Sequence, residues 1–203
     1  MALITPLQVR EGYIPTLTGD AKDEILTDVI ARVESALAAW CGWPPSTSSG
    51  SPTFETATYT SYLDGPREGY IREIQLPAYP VQSVTSVHDD PDWGYSSTYL
   101  IASGDYTLDE DNGRILLNPS SGEAFSRARR AIKVIYVAGW ATAPEDLAHA
   151  LCLAVAHVWS VIPRQGKKSA SSQGRSDAYA PETWPDIVRQ SMSRFRIEGA
   201  FIG

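Results

Sequence analysis

Two histidines and a cysteine lie within nine residues of one apolar segment, and these side chains can bind metals or act as nucleophiles and bases. His149 and Cys152 are three positions apart and share a helix face, whereas His157 lies five positions further on and points elsewhere. A zinc site needs more ligands, and the only other Cys and His are Cys41 and His88, in segments of different character. The spacing therefore predicts a helix made for packing.

Three short motifs resemble ligand sites, and two of them fail on spacing. The segment HDDPDWG, His88–Gly94, gathers polar groups for a cation, yet it is also an ordinary turn at a strand end. The acidic turn DEDNG has Gly113 at its fifth position, where a calcium loop requires an oxygen ligand. The GKKS segment has Val161 in place of the leading glycine of a phosphate loop, and Lys168 in place of the Ser or Thr.

No segment has the pattern of a nucleophile elbow or of a glycine-rich dinucleotide turn. Twenty-four acidic residues always offer some carboxylate pair, so general acid–base chemistry is not excluded by sequence. The catalytic signal is weak throughout: we predict no catalytic residue, no metal ligand and no cofactor-binding residue, and we expect that the protein is not an enzyme.

Charge is unevenly spread along the 203 residues, whose net charge is −7. Residues 164–203 carry seven Lys/Arg and four Asp/Glu, a balance of +3, which leaves −10 for residues 1–163. An acidic body argues against a sequence-reading DNA-binding protein, and a basic tail suggests docking on another surface. The two cysteines are typical of a reducing cytoplasm, and no apolar run or leader pattern predicts a membrane span or secretion.

Apolar spacing predicts three helices, over residues 5–12, 20–41 and 144–162. The first has the spacing of a capping box, in which Thr5 precedes Pro6 and Gln8 follows three residues on. Between 53 and 138 the pattern changes to period two, and close turns predict six short antiparallel strands.

The breaks between these elements complete the predicted layout. Asn112 and Gly113 predict a hairpin turn, and the composition of Pro44–Pro52 predicts a flexible linker. We predict one α+β domain over 1–163, a helical bundle with an inserted antiparallel β region. A flexible loop over 164–182 and an extended C-terminal arm over 183–203 follow it.

The order of these segments resembles the head–tail connector proteins (adaptor or head-completion proteins) of tailed phages and gene transfer particles. The segment LPAYPVQSV, Leu76–Val84, matches the Leu-Pro-x-x-Pro-Val-x-Ser-Val of that family. The family's glycine turn, followed by a proline that opens an alanine-rich helix, matches Tyr136, Gly139, Trp140 and Pro144. The resemblance extends from about Leu3 to Ile162 and does not include the loop and the arm.

The resemblance implies a structural role in the virion, at the head–tail interface, after assembly in the host cytoplasm. Such proteins form a ring, typically of twelve copies, below the portal, and extend the DNA channel. The implied partners are further copies of the chain, the portal protein and a stopper or tail protein, with packaged double-stranded DNA passing nearby. An acidic body suits such a channel because carboxylates repel phosphate.

The C-terminal arm is predicted to dock on the portal. It is basic in an acidic chain, and it carries apolar residues that an exposed tail would not keep without a partner. The predicted docking residues are Arg189, Arg194, Phe195, Arg196, Ile197, Phe201 and Ile202. The alternative is that the arm folds back on its own helices or frays.

Two other functions stay open at this point. The chain resembles an assembly module in general, so a tail-tube or baseplate component is one alternative. The other is a small-ligand-binding protein or enzyme with an aromatic pocket in the β region, lined by Tyr59, Tyr62, Tyr70, Tyr79, Trp93, Tyr95 and Tyr99. Aromatic residues are also enriched in strands and interfaces, which is the interpretation we favour.

Overall fold

The structure is a computed structural model that describes residues 3–65, 71–121, 124–162, 169–172, 175–178 and 184–197. The helices are α1 (Pro6–Tyr13), α2 (Asp23–Trp40), α3 (Glu145–Val161) and α4 (Asp186–Met192). The strands are β1 (Ala57–Leu63), β2 (Glu73–Gln75), β3 (Val81–Asp89), β4 (Leu100–Ile101), β5 (Tyr106–Asp109), β6 (Arg114–Leu117), β7 (Ile132–Ala138), β8 (Ser169–Ser172) and β9 (Arg175–Ala178). The predicted α+β class is confirmed, and each predicted helix lies within three residues of its observed bounds.

The chain divides into two compact units. The β unit contains the described residues of Ala38–Thr142 together with Ile197, and the helical unit contains those of Ala2–Leu37 and Ala143–Arg196. The β unit is therefore an insertion between two helical segments of the chain.

Two antiparallel sheets make up the β unit. The four-stranded sheet has the order β1-β7-β3-β4, and the three-stranded sheet has the order β2-β6-β5. Along β7, Ile132, Val134 and Tyr136 are buried, and the residues between them are half-buried. The alternation in β3 is imperfect because its pairing with β7 shifts register twice, between Val81 and Ser83 and between Val84 and Ser86.

Two tyrosines lie at the centre of the β unit. The rings of Tyr59 and Tyr136 stack with centroids 5.7 Å apart, and both side chains are buried. The Tyr136 hydroxyl lies 3.2 Å from the Ser61 hydroxyl and accepts the N–H of Ala78 at 3.3 Å. Burial raises the pKa of Tyr136 to about 12, so the phenol is neutral at physiological pH.

The DNG turn forms the predicted hairpin. Strands β5 and β6 pair from Tyr106 opposite Leu117 to Asp109 opposite Arg114. Gly113 has φ +65°, and a Cβ there would lie 2.8 Å from the Cβ of Tyr79, so both conformation and space require glycine.

The prediction of a flexible linker over Pro44–Pro52 is wrong. Pro45 and Pro52 form a β-bridge, the Ser46 N–H donates to the Ser51 carbonyl at 3.0 Å, and Ser46 is buried. The Thr47 N–H donates to the Thr58 carbonyl at 2.7 Å, so the segment binds the edge of β1. Serine composition predicted mobility, but the hydroxyl and backbone groups are satisfied within a tight turn.

The helical unit is built around α3, which contacts α1 and α4. Its buried face contains Leu147, Ala150, Leu151, Cys152, Ala154 and Val155. The predicted capping box of α1 is confirmed, since Thr5 accepts the Gln8 N–H at 3.2 Å and the Gln8 side chain accepts the Thr5 N–H at 2.8 Å.

Candidate functional site

The three side chains on α3 that could bind a metal do not point toward a common site. His149 is exposed, and its Nδ1 lies 2.5 Å from the Tyr13 hydroxyl of α1. Cys152 is buried, and burial raises the pKa of its thiol to about 11, which disfavours the nucleophilic and metal-binding thiolate. His157 is half-buried and lies five positions after Cys152 on the same helix. Among the residues that the structure describes, no group of three His, Cys, Asp or Glu side chains is placed to hold a metal.

Metal removal should therefore leave the stability of the protein unchanged. We expect the melting temperature with excess chelator to match that of the untreated protein within a degree or two, by differential scanning calorimetry. A fall of about 6 °C, which corresponds to roughly 2 kcal/mol in a chain of this size, would show that a metal contributes to folding.

The HDDPDWG segment is a closed turn. The buried Asp90 carboxylate accepts the N–H of Asp92 at 2.9 Å and the N–H of Tyr95 at 2.7 Å. The neighbouring Asp89 carboxylate accepts the N–H and the hydroxyl of Ser126. These hydrogen bonds occupy the carboxylate oxygens that a cation would need, so the turn interpretation explains these residues.

The candidate pocket aromatics are dispersed. Tyr59 points into the core of the β unit, whereas Tyr62 lies on the opposite face of β1 and is 42% exposed. Tyr79 lies against Gly113 of the three-stranded sheet, and Tyr70 lies outside the described residues. Among the described candidates, Tyr62 and Tyr95 have ring contact with each other, at a centroid distance of 5.5 Å. Tyr59 lies on the opposite face of β1 from that pair, so the described rings do not line one pocket.

The described part of the arm packs on the helical unit. Helix α4 contacts α3, and it buries Val188 and Met192, while Phe195 is buried in the turn that follows. The exposed Arg194 forms an ion pair with Asp146 of α3. Among the predicted docking residues, Phe195 is thus a packing residue in this chain.

The remaining docking residues differ in exposure. Arg189 is exposed and forms an ion pair with Asp186 within α4. Arg196 is exposed and Ile197 half-buried. The predicted residues Phe201 and Ile202 lie outside the described residues.

The sequence carried a signal for this packing that the arm prediction missed. Val188, Met192 and Phe195 follow one another at four and three positions, the spacing of a helical core stripe. Ile187, which precedes this stripe, is 55% exposed.

Comparison with known proteins decides the class to which this fold belongs. The family model described as head completion protein matches residues 2–197, nearly the whole chain. The chain belongs to the head completion protein family. This head completion protein is also similar in fold to a solved chain from the "Neck of empty GTA particle computed with C6 symmetry". The match has 19% identity and a TM-score of 0.60, and it covers 99% of this chain and 93% of that chain.

Comparison with curated proteins gave no match. The family confirms the predicted resemblance and makes this chain a structural component of the virion at the head–tail interface. Among the described helices, none is both long and apolar enough to cross a membrane.

Proposed function

We propose that this head completion protein forms a ring below the portal, extends the DNA channel and presents a surface to the stopper or tail protein. The observation that carries the proposal is the family match over residues 2–197, which includes both units of the chain. The similar chain comes from the neck of an empty GTA particle, and that neck was computed with sixfold symmetry. A ring of twelve copies is compatible with sixfold symmetry. The chain's net charge of −7 suits a channel through which DNA slides without binding.

The proposed role needs no catalytic step. The cysteine of α3 is held as a neutral thiol, and the carboxylates of Asp89 and Asp90 are engaged by backbone and serine donors. These groups stabilise the protein locally and leave no paired acid and base among them. We therefore propose no catalytic role for these three groups.

The proposed contact with the portal is made by the C-terminal arm. Arg189 lies on α4 and Arg196 follows the Ser193–Phe195 turn after it, and both are exposed. Docking through them would place guanidinium groups against carboxylates of the portal, which favours bidentate hydrogen bonds. Phe201 and Ile202 would supply apolar anchors.

Charge reversal of the arm should weaken attachment to the portal. We expect Arg189→Glu with Arg196→Glu to reduce co-sedimentation with portal-bearing heads about tenfold, as like charges replace complementary ones. The matched control is Lys22→Glu with Arg32→Glu, two exposed cations elsewhere in the helical unit that undergo the same charge change. Equal attachment of both double variants would assign docking to another surface.

Electron microscopy of the protein bound to tailless, portal-bearing heads tests the proposed ring. The proposal predicts a rotationally symmetric ring below the portal with a central opening wide enough for duplex DNA. A stacked tube in place of a single ring would favour a tail-tube component. Absence of added density on the heads would contradict the connector role.

A further inference from the structure

Five residues form an aromatic and basic surface at one end of the four-stranded sheet: Tyr62, Trp93, Tyr95, Arg130 and Lys133. Tyr62 of β1 lies directly opposite Lys133 of β7. The Arg130 guanidinium carbon lies 4.9 Å from the Tyr62 ring centroid, and the Lys133 Nζ lies 5.2 Å from that of Tyr95. Trp93 is 60% exposed. We call these five residues the aromatic–basic platform.

The platform is held in place by its own polar atoms. The Trp93 indole N–H donates to the Arg129 carbonyl at 2.6 Å, and the Tyr95 hydroxyl donates to the Arg130 carbonyl at 2.5 Å. The Tyr95 N–H is held by the buried Asp90 carboxylate. The Trp93 and Tyr95 rings are thus fixed before any partner arrives, and little of their side-chain entropy is lost on binding. Tryptophan, tyrosine and arginine are also the residues enriched in binding hot spots.

Two carboxylates near the platform, those of Asp64 and Asp89, are engaged by other donors. Asp64 accepts the Arg130 N–H at 2.8 Å and pairs with the Arg129 side chain at 3.8 Å. Asp89 is bound by Ser126. The side chains of Arg130 and Lys133 form no ion pair with any carboxylate that the structure describes, and lie over the tyrosine rings instead. Their charge is available to an acidic partner.

The same unit carries an acidic surface at the other end of β3. Glu110 and Asp111 of the β5–β6 turn are exposed, and they form no ion pair with a described residue. The Glu110 carbonyl accepts the N–H of Val81, the first residue of β3, whereas His88, near its end, lies opposite Lys133 of the platform. Seven residues of strand separate the two positions by roughly 20 Å, so the platform and the turn cannot contact each other in one molecule.

We propose that the aromatic–basic platform binds the acidic β5–β6 turn of a second copy of this chain, as the charged contact between neighbouring subunits. The inference rests on the proposed ring, and it adds which surfaces of the chain meet. A cyclic ring joins its copies head to tail, so each chain must carry two different, complementary patches on separate sides. The basic platform and the acidic β5–β6 turn lie near opposite ends of β3 and meet that requirement. Their opposite charges also determine which side of one copy faces the next.

A charge swap in assembling particles tests the pairing, with the fraction of DNA-filled heads that carry tails as the readout. Arg130→Glu with Lys133→Glu should lower this fraction about tenfold, and Glu110→Lys with Asp111→Lys should do the same. The chain with all four substitutions should regain most of the lost fraction of tailed heads. Its platform is acidic and its turn is basic, so the two surfaces are again complementary. Arg32→Glu with Arg72→Glu is the matched control for charge and should assemble normally.

Each other outcome overturns the pairing. Normal assembly of either double variant, or no recovery in the fourfold variant when all variants melt within a few degrees of the parent, contradicts it. Weaker binding of the platform variant to a short DNA duplex, without recovery in the fourfold variant, would assign the platform to nucleic acid. Normal tail attachment in particles that lack the protein altogether would instead refute the proposed function.

Discussion

Replacement of Met192 by alanine should lower the free energy of unfolding by about 2–5 kcal/mol, the usual cost of removing a large buried side chain. Met192 is fully buried, at the centre of the stripe that also contains Val188 and Phe195. The measurement is urea denaturation followed by circular dichroism, with the midpoint and the slope fitted together.

The matched control is Ile187→Ala, five residues earlier on the exposed side of α4. Ile187 is 55% exposed, so its truncation should change the stability by less than about 1 kcal/mol. Equal, small effects of both substitutions would show that α4 does not pack on the helical unit in solution.

Because α4 packs on α3, deletion of the arm cannot separate docking from folding. Removal of all residues after Pro181 would delete Val188, Met192 and Phe195, which are buried in the folded chain. A loss of docking in that truncated protein would then report unfolding as much as a missing contact. The exposed Arg189 and Arg196 separate the two effects.

Gly139→Ala should destabilise the β unit by about 3 kcal/mol or more. Gly139 follows β7 with φ +102°, a conformation that alanine rarely adopts. An added Cβ would lie 2.4 Å from the Glu55 carbonyl oxygen and 2.8 Å from that of Phe54. Both neighbours are backbone, and the Phe54 carbonyl also accepts the Trp140 N–H at 2.9 Å, so the clash cannot be relieved by a side-chain rotation.

Calorimetry measures this effect as a fall in melting temperature of roughly 6–12 °C. Gly104→Ala is the control in the same unit, because a Cβ at Gly104 meets no atom within 4 Å and its φ is not positive. Equal melting temperatures for the two variants would contradict the close backbone approach at Gly139.

Features that depend on neighbouring residues in the chain could be predicted from the sequence. The Thr5–Gln8 capping box and the hairpin around Gly113 each depend on a few adjacent residues, and both are confirmed. The family resemblance also depended on ordered local motifs, and the family match confirms it.

Features that depend on distant partners could not be predicted in this way. Ser46 is buried because Pro44–Pro52 binds the edge of β1, which a serine-rich composition does not reveal. The platform joins Tyr62 and Lys133 from strands some seventy residues apart, and only the register of β1 on β7 brings them together. Likewise, the side of α4 that is buried is determined by its contact with α3.

We infer that this head completion protein joins the DNA-filled head to the tail. Electron microscopy of particles produced after deletion of its gene tests this role most directly. We expect DNA-filled heads without tails alongside free tails, and recovery of tailed particles when the protein is supplied again. Tailed particles in normal number without the protein would contradict it.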